Sequence, residues 1–114
     1  MWRDDASLLD MLLAGRKAIK FVSGATSETF RTDEIFQNAA MRQIQIIGGA
    51  ARMVSADYKQ SHPEVPWTEI VGMRNRLVHE YFDIIPERVW EVIEHHLPPL
   101  LSQLEPLVPP DKED

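Results

Sequence analysis

From Ile35 to about Tyr58 the apolar side chains fall on one side of a helical wheel, and no other feature constrains the fold as tightly. Ile35, Phe36, Ala39, Ala40, Ile44, Ile47, Ala51 and Val54 recur at intervals of three and four, which is the pattern of one face of an α-helix. A helix with a single apolar stripe is not stable alone and must bury that stripe against neighbours. Thr32-Asp33-Glu34 supplies its start, with a capping hydroxyl and acids in the first turn. Gly48-Gly49 lies inside the stripe. In an exposed helix each glycine costs about 1 kcal/mol, so the pair predicts a place where another helix crosses closely.

The neighbours are legible by the same period. Leu8, Leu9, Leu12, Leu13, Ile19 and Val22 predict a helix from about Asp5 to Val22, ended by Ser23-Gly24. The segment to Arg31 reads as a loop or short turn that tucks Phe30 onto the core. Lys59 to Pro66, with two prolines, reads as a loop, and His62 within it as a surface residue. A third helix runs from Trp67 to about Tyr81, with Ile70, Val71, Leu77 and Val78 as its buried candidates. Pro86 suits the first turn of a fourth helix, and Pro98-Pro99 kinks or restarts the chain into a last helix to Leu107. No segment alternates as a strand does. The expectation is an all-α, antiparallel bundle of four to five helices in one domain, residues 1–108, with 109–114 as a disordered tail.

Composition narrows the chemistry. There is no cysteine in 114 residues, so disulfides, thiolate metal sites and cysteine nucleophiles are excluded together. The acidic start lacks the basic-then-apolar order of a signal peptide, and no apolar run approaches a membrane span. These features predict a soluble, cytoplasmic protein that engages no membrane. The formal charge of −6 argues against broad electrostatic binding to nucleic acid. A local cleft built from Arg52, Arg74, Arg76 and Lys59 remains open to it.

One stretch is not accounted for by packing: Arg74-Asn-Arg-Leu-Val-His-Glu-Tyr81. An imidazole that moves protons near neutrality, beside a guanidinium that grips phosphate, is a minimal set for breaking a phosphodiester. On a continuous helix Arg74 and Tyr81 share a face two turns apart, while Asn75 and His79 are adjacent on a neighbouring face. Arg74 and His79 point apart, so the site needs a bend near Tyr81 or a second copy of the chain. His62, His95 and His96 make no metal set with His79, and no glycine-rich phosphate loop is present. Neither a metal nor another cofactor is expected.

The run Arg74-Asn75-x-x-x-His79-x-Tyr81 resembles the R-x-x-x-x-H-x-Y signature of HepT-like toxins, the HEPN-domain partners of minimal nucleotidyltransferases. The resemblance extends over nearly the whole chain, through Arg3-Asp4-Asp5, Leu8 to Leu12, Ile46-Ile47-Gly48, Pro63-Glu64-Val65-Pro66-Trp67, Gly72-Met73, Val89-Trp90 and Leu97-Pro98. It departs at Glu80, where relatives commonly carry glycine, and this puts a negative charge beside the expected phosphate site.

The resemblance implies a HEPN-like homodimer acting as a metal-independent endoribonuclease on an RNA substrate. Arg74, His79 and Asn75 would be catalytic, and Arg76 a supporting RNA contact. It further implies a toxin–antitoxin pair, in which a minimal nucleotidyltransferase (MntA-like) antitoxin neutralises the chain by AMPylation of Tyr81. The alternative is a non-catalytic, nucleotide-binding or scaffold partner of a nucleotidyltransferase.

Overall fold

A computed structural model describes residues 2–110. Its helices are α1 (Trp2–Phe21), α2 (Ser27–Thr32), α3 (Glu34–Met53), α4 (Ala56–Ser61), α5 (Trp67–His79), α6 (Pro86–Glu91) and α7 (Leu97–Leu104). Short 3-10 turns cover Tyr81–Asp83 and Glu105–Leu107, and a π turn, Val92–His96, joins α6 to α7 without a break. The described residues contain no strand, so the fold is all-α as expected. Four rods build the bundle: α1, α3, α5 and the composite α6–α7. The expected tail falls partly on residues 111–114, which lie outside the described residues.

Helix α3 is central, with α1 on one side and α5 on the other. Both neighbours run antiparallel to it. Asp4, at the start of α1, bonds Ser55 just past the end of α3, and Asn38 in early α3 bonds Tyr81 beyond the end of α5. The core stripe of α3 narrows to Ala40, Met41, Ile44, Ile47 and Ala51, meeting Leu8, Met11, Ala14 and Ala18 of α1 and Leu77 of α5. Each fully buried large side chain, such as Leu8 or Leu77, contributes about 1.5–3 kcal/mol.

Local chemistry explains the ends. Gly24 takes φ +89 after α1, a left-handed conformation that glycine adopts without steric cost. The segment expected as a loop is the short helix α2, because Thr26 and Thr29 cap each other reciprocally across its first turn. It carries Phe30 into the core against Trp90, ring centres 5.2 Å apart. Asp33 caps α3 in place of the expected Thr32 hydroxyl, its Oδ1 accepting from the Ile35 amide at 2.9 Å, while Thr32 Oγ1 donates back to the Glu28 carbonyl.

Several expectations need correction. The central helix does not run to Tyr58. It stops at Met53 because the Ser55 amide and hydroxyl both donate to the buried Asp4 carboxylate, at 2.9 and 2.8 Å. Ser55 Oγ also accepts from the Tyr58 amide and thereby starts α4. These bonds hold the Asp4 carboxyl below its usual 3.8, the Ser55 amide first and the hydroxyl second, against an upward push from burial. The loop therefore begins at His62. That residue is half-buried and stacks on Tyr58 at 4.1 Å, while its carbonyl accepts from Trp67 Nε1. Burial, followed by the charges of Asp5, Asp4 and Glu64, pushes the Tyr58 phenol above its usual value.

Ile35, Leu9, Leu13, Ile19 and Val78, read as core candidates, are exposed. On α1 the neighbouring small residues Ala14 and Ala18, with Met11, take the inward positions instead. Pro98-Pro99 leave their mark upstream, as a π turn that runs on into α7. Neither proline can donate a helical bond, and each ring crowds the carbonyl four residues back. The chain widens there into the π turn, with the Leu97 amide bonding the Val92 carbonyl.

Candidate active site at the end of α5

Helix α5 ends at His79 rather than Tyr81. Glu80, at φ −122 and ψ 37, leaves the helix while its amide bonds the Arg76 carbonyl, and Tyr81 opens the following 3-10 turn. A bend is present at Glu80, but it lies beyond both Arg74 and His79 and leaves them pointing apart on one continuous helix. Arg74 and Tyr81 do not share a face of one continuous helix.

Arg74 is half-buried where α5 crosses α3. Its Nη1 donates to Asn75 Oδ1 at 3.0 Å, which orients the guanidinium along the surface of α5. Among the described residues Arg74 joins no ion pair; the pairs present are Arg16–Glu105 and Arg31–Glu87. A guanidinium bonded only to a neutral amide keeps donors free for a phosphate oxygen. His79 lies one helical turn beyond Asn75 and is exposed, with no side-chain hydrogen bond among the described residues. Asn75 and His79 thus lie one turn apart on one helix, and the Arg74 side chain bonds Asn75 alone.

Tyr81 goes elsewhere. Its hydroxyl donates to Asn38 Oδ1 on α3 at 3.1 Å, and its ring meets Phe82 edge-on, centres 5.4 Å apart. The phenol remains 47% exposed on the wall of a cleft of about 210 Å³ shared with Glu34, Gln37, Asn38 and Phe82. Arg76 faces a third direction, lining a small notch with Asp83 and Arg88. Sequence reasoning missed Asn38 and Arg88. Neither carries a sequence signal, because each meets the motif only through the tertiary crossing. Lys59 lies on α4, the short helix that starts at Ser55, rather than on α5.

Apolar surface surrounds the motif. Phe82 is 95% exposed, and Val78, Tyr81 and Ile85 are all exposed. Among the described residues no three His, Asp or Glu side chains group closely enough to hold a metal ion, and no helix is long and apolar enough to cross a membrane. The arrangement can bind a phosphate ester through Arg74 and transfer a proton through His79.

An all-helical bundle carrying that set on one helix defines a class of small helical proteins suited to phosphodiester chemistry. The family model described as "Ribonuclease HepT-like" matches residues 11–107, and this chain belongs to that ribonuclease family. It is similar to a protein named "Putative RNase" from Caldanaerobacter subterraneus subsp. tengcongensis, 35% identical across 82% of this chain and 84% of the relative. A second "Putative RNase", from Methanocaldococcus jannaschii, is 32% identical across 88% and 92%. A "Probable ribonuclease HepT" from Thermococcus cleftensis is 36% identical across 70% and 73%. No solved structure matches the chain.

Proposed function

We propose that the chain is a metal-independent endoribonuclease, the toxin of a toxin–antitoxin pair, with Arg74, Asn75 and His79 as its catalytic residues. The observation that carries this reading is the Arg74 guanidinium, bonded to the Asn75 amide and to no carboxylate among the described residues, on the same helix as an exposed His79 that lies one turn beyond Asn75. The ribonuclease family supplies the substrate class. In the reaction the RNA 2′-hydroxyl attacks the adjacent phosphorus as His79 takes its proton. Arg74 stabilises the charge on the phosphorane oxygens, and Asn75 holds the guanidinium in register. The 5′-oxygen leaves with a proton, giving a 2′,3′-cyclic phosphate and a 5′-hydroxyl end.

The cleft is completed by a second copy. The exposed Phe82, Val78 and Ile85 beside the motif form the apolar surface that such a partner would cover. The second copy's His79 then supplies the proton to the leaving oxygen while the first takes one, and Arg76 contacts the flanking RNA backbone.

Control runs through Tyr81. A minimal nucleotidyltransferase antitoxin transfers AMP from ATP to its phenolic oxygen, releasing pyrophosphate. The new phosphodiester adds negative charge and bulk two residues past His79, in the cleft that Tyr81 shares with Asn38 and Phe82.

The test is cleavage of defined RNA in EDTA with analysis of the product ends. His79→Ala should lower the rate by about 10²–10⁴-fold and Arg74→Ala by about 10²–10³-fold, both with parental helical content. A His79→Ala chain that cuts as fast as the parent sinks the assignment. A parent that binds nucleotides and cuts no RNA favours the non-catalytic partner instead.

A further inference from the structure

The paired glycines of α3 are not equivalent. A Cβ built on Gly49 meets nothing within 4 Å, whereas one built on Gly48 lies 2.7 Å from Arg74 Cγ, closer still to Arg74 Cβ, and 3.1 Å from the Ile70 carbonyl oxygen. Ordinary carbon–carbon contact is about 3.5–4.0 Å. The stem of Arg74 therefore lies in the notch left by the missing side chain of Gly48. Because the nearest contact is with the first carbon of that stem, no rotamer of Arg74 relieves it. The backbone of α5 itself must withdraw.

We infer that Gly48 is a positioning residue for Arg74, fixing the depth at which α5 seats on α3 and so the place where the guanidinium emerges beside Asn75 and His79. An alanine at 48 drives α5 off by on the order of 1 Å, and a misplacement of that size costs about 100-fold in rate. Gly49 is an internal control with the same chemistry, the same helix and no such contact. The kinetic part of this inference rests on the ribonuclease reading; the geometric part does not.

The experiment compares Gly48→Ala with Gly49→Ala. The Arg74 Nε–Hε resonance in a 15N-labelled sample, assigned by its loss in Arg74→Lys, reports the guanidinium directly. Gly48→Ala should shift that resonance and lower kcat about 100-fold with KM little changed, the signature of an interaction made in the transition state. Gly49→Ala should leave both near parental.

If Gly48→Ala does not fold, adding Arg74→Gly removes the opposing Cβ and should restore most of the melting temperature of Arg74→Gly alone, the remaining deficit being the 3.1 Å contact of the new Cβ with the Ile70 carbonyl. An unmoved Arg74 resonance, equal losses in the two alanine variants, or no restoration by Arg74→Gly overturns the inference. A parent that cuts no RNA refutes the ribonuclease reading, and the resonance still decides the role of Gly48.

Discussion

Replacing Tyr81 by phenylalanine separates the phenolic oxygen from everything else that residue does. In the structure the hydroxyl makes one bond, to Asn38 Oδ1 at 3.1 Å, and the ring is 47% exposed. Asn38 is exposed as well, so water takes over the lost partner on both sides. The net cost should sit near the low end for a hydrogen bond, about 0.5–1 kcal/mol. For a domain of this size that is a fall in Tm of about 2–4 °C. Tyr81→Phe should therefore fold, keep its edge-on contact with Phe82 and retain Arg74, Asn75 and His79 undisturbed on α5. Incubated with the partner nucleotidyltransferase and ATP, the parent should gain AMP by intact-mass spectrometry and lose ribonuclease activity. Tyr81→Phe should gain none and stay active. Equal AMP uptake by the two chains would place the acceptor elsewhere. A Tm loss beyond about 10 °C, more than a single exposed hydrogen bond explains, would show that the hydroxyl is a structural tie.

Other outcomes follow from the packing. Asp4→Ala removes the acceptor for both Ser55 donors and should cost about 1–3 kcal/mol, measured by urea unfolding. The folded carboxyl sits below the usual 3.8, so the unfolded chain binds more protons than the native one between the two values. The contribution of Asp4 is therefore complete above about pH 4 and fades as pH falls through the folded value; unfolding curves for parent and Asp4→Ala should converge in acid. Leu77→Ala, at a fully buried position between α5 and α3, should cost about 2–5 kcal/mol, and a loss under 1 kcal/mol would contradict the packing. Light scattering should give the mass of two chains, Phe82→Asp should reduce it to one, and a parent that is monomeric at micromolar concentration would count against a shared cleft.

The rods were legible because period and caps agree. Asp33 before α3, Pro86 at the start of α6 and the prolines around Val65 all mark boundaries that the chain respects. Some failures are local, as where Thr26 and Thr29 start α2 and Glu80 ends α5; others were decided by a residue distant in sequence. Nothing near Val54 says that the helix stops; the reason is Asp4, 51 positions away. Gly48 and Gly49 are identical as letters, and only the crossing of α5 tells them apart. The motif itself was visible as residue types at a spacing. Its layout was not, since Glu80 ends the helix and Asn38 draws Tyr81 away from Arg74. Val78 looked like core by period but is exposed.

The π turn in the last rod also has a phasing consequence. Val89, Ile93 and Leu97 are spaced by four, and all three are buried. Two successive steps of four in a regular α-helix drift around the axis, because each turn holds about 3.6 residues. A turn closed by bonds to the fifth residue back holds more residues per revolution, so Leu97 arrives beneath Ile93 instead of slipping past it. From there Leu100 and Leu104 resume ordinary spacing on the same buried line. The wide turn acts as a vernier: it stores the surplus residue within the helix rather than expelling it as a loop. Deleting one residue between 92 and 96 would tighten the rod while rotating Leu100, Leu101 and Leu104 away from α1. The seam between the chain's first helix and its last is thus set by a turn that gives only Ile93 fully to the core.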